Sequence, residues 1–249
     1  MAVAGATAVL LAAAGTHGCA TLGTLQTANT LGAGNFQMGL EPAFEMGVGT
    51  PQPIYVPRFD LALRYGVADR VDLAGRIGST GLELGAKFQL TDPADKGLVL
   101  SLAPSVAGGA VPIPDNPIGV VYVTLPLLLG VGVGHGHQLV FAGKVANWML
   151  LGDIGLSSLV LDELVVGGSV GFVLKLHEKF RLMPEVSVMR PVWVSEDLGG
   201  TSMMGSAAFG NAFLVQFSVA ALFFGGGGPA YATSPSSAPD SAPAAAPAE

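Results

Sequence analysis

From Phe36 onward, hydrophobic and polar side chains alternate with a period of two. In NFQMGLEPAFEMGVG, Phe36, Met38, Leu40, Phe44, Met46 and Val48 share one phase, and Gln37, Glu41 and Glu45 the other. RFDLALRYGV sets Phe59, Leu61, Leu63, Tyr65 and Val67 against Arg58, Asp60 and Arg64. RVDLAGRIG sets Val71, Leu73 and Ile77 against Asp72 and Arg76, and GLELGAKFQL sets Leu82, Leu84, Phe88 and Leu90 against Glu83, Lys87 and Gln89. A period of two is the mark of a strand, whose successive side chains point to opposite faces. GLVLSLAPSVAG, PIGVVYVTLPLLLG, HQLVFAGKVANWML, ELVVGGSVGFVLKL, KFRLMPEVSVMRPVWV and NAFLVQFSVAALFF repeat the pattern more loosely. The sequence thus predicts an all-β chain of about ten strands, within 8–12, mostly 9 to 16 residues long. Globular strands run about 5–6 residues, whereas a tilted membrane-crossing strand needs about 9–11.

Alternation alone permits two opposite arrangements. A soluble sandwich turns its apolar face inward; a membrane barrel turns it to lipid and lines its lumen with the polar face. The length of the strands favours the second, as do small residues and opposite charges crowding the polar phase. Too little charge remains in loops and termini to dissolve so apolar a domain. We therefore expect an antiparallel up-and-down transmembrane β-barrel over residues 35–224. Phe36, Phe44, Phe59, Leu61, Leu63, Tyr65, Leu73, Leu84, Phe88 and Phe217 should face lipid. Glu41, Glu45, Arg58, Asp60, Arg64, Asp72, Arg76, Glu83 and Lys87 should form a lumen charge network, because unpaired charge away from water is costly. One strand, PIGVVYVTLPLLLG, is apolar in both phases and is also compatible with a buried sheet.

The connections offer a second pattern. Alternate ones, VADR, TDPADKG, GHGH and LHEK, are short; three of the others, GAVPIPDN, LGDIGLSSLVLDE and SEDLGGTSMMGSAAFG, are long. Outer-membrane barrels have short periplasmic turns and longer extracellular loops, and an even strand number places both termini in the periplasm. Against regular strands stand Pro42, Pro57, Pro104, Pro126 and Pro184, each of which removes a ladder donor. Bulges or breaks are expected there.

Residues 2 to 15 form an apolar run like a secretory h-region, so 1–18 reads as a signal peptide. THGC follows, and a small residue directly before the chain's one cysteine resembles the lipobox of bacterial lipoproteins. That resemblance implies cleavage before Cys19 and acylation of its thiol. The usual Leu three residues before the cysteine is Thr16 here, and no Lys or Arg precedes Glu41. An ordinary signal peptide followed by an incidental cysteine is the alternative. Residues 19–34 then read as a periplasmic linker carrying the lipidated cysteine. Residues 225–249, rich in Pro, Ala, Ser and Gly, read as a disordered tail.

RYGVADRVDLAGRI with LELGAKFQL resembles small bacterial outer-membrane β-barrels, and the lipobox extends this to lipobox-bearing barrel lipoproteins. FLVQFSVAALFF looks like their closing strand, which ends in an aromatic residue read by the barrel-assembly machinery. Phe217, Phe223 and Phe224 would carry that signal, although in the usual pattern the aromatic ends the chain. The resemblance implies outer-membrane lipid and the assembly machinery as partners and the bacterial outer membrane as location. It is one of architecture, and such barrels host unrelated functions.

Composition narrows the function little. Half of the residues are hydrophobic, 12% are charged and the net charge is −7; clustered Lys and Arg, which nucleic acid would need, are lacking. His135 and His137 in GHGH lack a third ligand for a metal, and His17 leaves with the signal peptide. Every mature histidine falls at an inner turn, the wrong end for the lipid hydrolases and surface proteases built on such barrels. Glu41 and Glu45 read as lumen charges rather than an acid/base couple. Trp148 and Trp193 fall near outer strand ends, where aromatic belts sit; incidental packing is an equal alternative. No cofactor, metal or catalytic residue is expected. The expected function is a lipid-anchored outer-membrane β-barrel, structural or a narrow pore for small polar solutes. The alternatives are a soluble lipid-tethered periplasmic β-barrel binding an apolar ligand and, last, an outer-membrane enzyme.

Overall fold

A computed structural model of the chain describes residues 22–48, 54–79, 81–92, 97–111, 118–154, 157–198, 201–204 and 213–226. The signal segment 1–18, Cys19 and the tail beyond Gly226 lie outside the described residues. The strands are β1 (Phe36–Val48), β2 (Ile54–Ala68), β3 (Val71–Gly78), β4 (Gly81–Gln89), β5 (Leu98–Leu102), β6 (Ser105–Val111), β7 (Ile118–Gly132), β8 (Gln138–Ile154), β9 (Ser157–His177), β10 (Phe180–Leu198), β11 (Thr201–Met204) and β12 (Phe213–Gly225). None of the described residues is helical.

Every pairing is antiparallel, and the β12–β1 and β9–β10 pairings close the sheet on itself. β5 and β6 share one place between β4 and β7, and β11 continues the place of β12 along β10. The result is an up-and-down barrel of ten staves. β12 runs one residue further than expected, with Gly225 paired to Phe36.

The prolines sit where the ladder is open on one side. Pro42 pairs with Phe59 of β2, while the β1–β12 ladder skips Glu41 and Pro42. Pro184 pairs with Val219 of β12, while the β10–β9 ladder skips Met183 and Pro184. Pro57 lies beyond the reach of β3, whose pairing to β2 begins at Asp60. Pro104 falls between β5 and β6, opposite Pro126 in the matching gap of β7. Each missing donor therefore costs no hydrogen bond. The first two breaks leave a shallow apolar groove on the outer wall, lined by Phe44, Phe172, Val186 and Phe217.

One end of the barrel carries the short connections after β2, β4, β7 and β9; we call it the turn end and the other the loop end. Two expected long loops contain strand. Of residues 151–163, all but 155 and 156 belong to β8 and β9, and within 195–210 β10 continues to Leu198 and pairs with β11. β8, β9 and β10 thus reach 17, 21 and 19 residues, against 8 and 9 in β3 and β4. The wall is high on one side and low at the β3–β4 hairpin.

Side chains are distributed inside out relative to a soluble protein. Phe36, Phe44, Phe59, Leu63, Tyr65, Leu73, Leu84, Phe88 and Phe217 are exposed on the outer wall, Phe59 by 56%, and Leu61 is half-buried in the same phase. Among the expected assembly aromatics, Phe217 and Phe223 are outward, but Phe224 is turned in and buried. Its ring lies 5.0 Å from the Arg181 guanidinium. Adjacent residues of one strand take opposite faces, so Phe223 and Phe224 cannot both be outside. Trp193 is on the outer wall; Trp148, placed by sequence in the same belt, is 5% exposed inside the barrel.

Candidate functional site

The inner wall of β1–β4 is an ionic lattice. Arg58 bridges Glu45 (3.2 Å) and Asp60 (3.5 Å). Arg76 joins Glu41 (2.9 Å) to Glu83 (2.8 Å), and Arg64 shares Glu41 at 3.3 Å. Lys87 meets Asp72 at 3.0 Å. All nine residues expected to form the lumen network point inward. Register explains two of the pairs, with Asp72 opposite Lys87 and Arg76 opposite Glu83; Glu41 sits opposite another carboxylate, Asp60, and takes its cations from Arg64 and Arg76 instead. Across the barrel, Lys144 of β8 faces Glu185 of β10 at 3.7 Å.

Through the middle of this lattice runs the chain itself. Residues 22–34, expected to belong to a periplasmic linker, thread the lumen instead. Leu22, Thr24, Leu25, Thr27, Ala28, Thr30 and Leu31 are all buried. This strap has no helix or strand to satisfy its backbone, so the wall does so. The Leu22 and Gly23 amides donate to Gln216 Oε1. Thr24 N, Thr24 Oγ1 and Leu25 N donate to the Glu185 carboxylate at 2.7, 2.7 and 2.9 Å. Ala28 N donates to Gln138, Thr30 N to Gln89 and Leu31 N to Asp72. The carbonyls meet cations and a hydroxyl: Lys144 at Leu22, Arg76 at Thr24, Arg64 at Leu25, Lys87 at Thr27 and Asn29, and Ser101 at Ala28. Irregular backbone at membrane depth persists only where protein or water satisfies it, and here protein does. Leu25 has φ of 43°, costly for a residue with a Cβ; the bonds on both sides of it, to Glu185 and Arg64, hold it there.

At the turn end the strap reverses into β1. Gly32 and Gly34 have φ of 78° and 77°, and the reversal packs on Gly66, where a Cβ would lie 1.9 Å from the Gly32 carbonyl oxygen. Gly34 N donates to Gly66 O and Gly66 N to Asn35 O, pinning the entry to the end of β2.

The strap leucines determine the rest of the lumen. Leu22 packs with Tyr122, Trp148, Leu161, Val165 and Met189 in an apolar cluster on the high wall. Leu25 and Leu31 pack with Val140, Val173, Met183 and Leu222. This explains why β7 is apolar in both phases: its inward Val120, Tyr122 and Leu128 face the strap and its cluster. Beside the strap lies a cavity of about 60 Å³ between Leu22–Thr24 and Arg76, Glu83, Lys144 and Trp148. It has room for only a few water molecules. At the turn end, outside the strands, the hydrogen bond from Lys175 (2.7 Å) holds the Glu178 carboxyl below its usual range. His137 there is structural: its Nδ1 accepts the Lys175 amide, and its ring stacks on Phe172.

Several lumen residues escaped the sequence reading, namely Lys144, Glu185, Gln138, Gln216, Arg181 and the strap. Lys144 and Glu185 lie in the inward phase of their strands but stand singly among apolar neighbours. The strap has its own signal. Thr-Leu-Gly, Thr-Leu-Gln, Thr-Ala-Asn and Thr-Leu-Gly follow one another from Thr21, a triplet repeat. A period of three belongs to an extended chain with three faces, not to a featureless linker.

A closed antiparallel ring with an apolar exterior and a charged, filled interior is the construction of a transmembrane β-barrel. No family model matches the chain and no curated protein matches it. Among solved structures it is similar to Neisserial surface protein A, at 9% identity over 76% of this chain and 98% of that one, TM-score 0.41. It is also similar to the translocator domain of the autotransporter NalP from Neisseria meningitidis (15%, 77% and 88%, TM-score 0.42). A third is the outer membrane protein OprG from Pseudomonas aeruginosa (15%, 80% and 97%, TM-score 0.37).

Proposed function

We propose that this chain is a bacterial outer-membrane β-barrel whose lumen is closed by its own N-terminal strap, with a structural, non-enzymatic role. The observation that carries this is the pairing of strap backbone with lumen side chains. The cavity beside the strap holds about 60 Å³, where ligand pockets hold about 300–1,000 Å³ and a conducting pore needs a continuous water path. A narrow pore for small polar solutes is then a property of the barrel without its strap. Acylation of Cys19, three residues before Leu22, would add a lipid anchor to the wall's own contact with lipid. Phe217 and Phe223 remain on the outside, available to an assembly factor.

Planar-bilayer recording tests closure. The refolded full chain should be electrically silent, and a variant lacking residues 22–31 should give discrete conductance steps. Equal conductance of the two would overturn it. The soluble, tethered alternative is opposed by the exposed band of Phe59, Leu63 and Tyr65. Cys19→Ala should accordingly still require detergent for extraction; release into buffer would favour that alternative.

A further inference from the structure

The direction of the strap has a topological consequence. Its C-terminal end, Gly34, is bonded to Gly66 beside the β2–β3 turn. From there towards lower residue numbers the partners climb the wall: Asp72 and Gln89 first, then Lys87, Ser101, Arg64 and Glu185, and last Lys144 and Gln216. Lys144 is six residues above the turn-end start of β8, and Gln216 nine above the turn-end finish of β12. At ~3.3 Å per residue and ~40° tilt, Leu22 lies roughly 15–23 Å from the turn end. On the low wall the picture reverses. Arg76, which binds the Thr24 carbonyl, is two residues from Gly78, where β3 ends at the loop end. Leu22 is therefore close to the loop-end mouth beside the β3–β4 hairpin.

The lumen below Leu22 holds the strap itself. The three residues from Cys19 to Leu22 span at most ~11 Å, too short to return to the turn end. We infer that the strap delivers the chain's N-terminal side to the loop end of the barrel, across the membrane from the C-terminal strand end at Gly225. An acyl group on Cys19 would then sit on the loop side, the reverse of the periplasmic anchorage expected from strand parity. A seated strap and a periplasmic lipid anchor exclude one another. This rests on the membrane-barrel reading above.

The test places a short epitope between Ala20 and Thr21 and a second in the tail after Pro229, in full-length protein made in a Gram-negative host. The same chain carries Thr24→Cys and Ser169→Cys, whose native hydroxyls are 3.4 Å apart, so that a disulfide reports a seated strap. Protease added to intact cells should remove the first epitope and leave the second, in protein that shows the disulfide and heat-modifiable migration. An N-terminal epitope lost only after permeabilisation, with the disulfide formed, would overturn the exit side. A heat-modifiable barrel lacking the disulfide would overturn the seating and the inference with it. Absence of heat-modifiable migration would instead count against the membrane barrel itself.

Discussion

The two halves of the lumen solve the same problem in different chemistry. Along β1–β4 the charged residues all turn inward and pair with one another, as Glu41 does with Arg64 and Arg76. Along β7–β10 the inward residues are mostly apolar and pack on Leu22, with Lys144, Glu163, Arg181 and Glu185 as the charged exceptions. The strap touches both, offering carbonyls to Arg64, Arg76 and Lys87 and leucine side chains to the opposite wall. A barrel of ten staves has an interior too wide for its own side chains to fill everywhere, and the strap is what fills it. Stability should therefore depend most on residues that join strap to wall, and least on residues of the outer face.

The largest effect is expected at Glu185. One carboxylate accepts from Thr24 N, Thr24 Oγ1, Leu25 N and Ser187 Oγ and faces Lys144. Glu185→Leu leaves the strap donors without an acceptor and Lys144 without its counter-charge. Breaking a buried ion pair from one side costs about 3–5 kcal/mol. Urea unfolding in detergent micelles should show a loss of that size, and Glu185→Gln, which keeps one acceptor oxygen, a smaller one. Equal and small losses in both would mean that the strap contributes little to the folded barrel.

On the ionic wall, Arg76→Leu should cost about 3 kcal/mol by the same measurement, since it takes the cation from Glu83, leaves Glu41 with Arg64 alone and leaves the Thr24 carbonyl without its cation. It tests whether the lattice is as important to the barrel as the strap contacts of the other half.

The contrast also explains what the sequence could reveal. In β1–β4 every charged residue is inward and every aromatic one outward, so the phase of each strand is legible from the sequence alone. In β7–β10 inward and outward residues share apolar chemistry, because the inner face meets leucines of the strap rather than charges. Val120 and Val123 look alike in sequence although one is inward and the other outward. Lys144 and Glu185 were in phase but had no visible partner, since that partner is backbone 120 or more residues away. The strap was hidden for a related reason. Thr, Gly, Gln and Asn mark a chain unable to build its own core, which describes a linker equally well until another surface supplies the hydrogen bonds.

The smallest effects sharpen the comparison most, because they use one chemistry in two places. Leu22 is 1% exposed in the lumen and Leu73 is 51% exposed on the outer wall. Truncating Leu22 opens a hole against Trp148 and Val165, so Leu22→Ala should cost about 2–3 kcal/mol, within the range for buried leucine. Truncating Leu73 leaves a space that detergent or lipid chains occupy, and Leu73→Ala should cost about 0.5 kcal/mol or less, as at an ordinary surface. Both shifts are read from urea midpoints in the same micelles. A Leu73→Ala loss matching that of Leu22→Ala would require Leu73 to be packed against protein. The apolar wall would then be an interface or a core, and the division into a filled lumen and a lipid-facing skin would not hold.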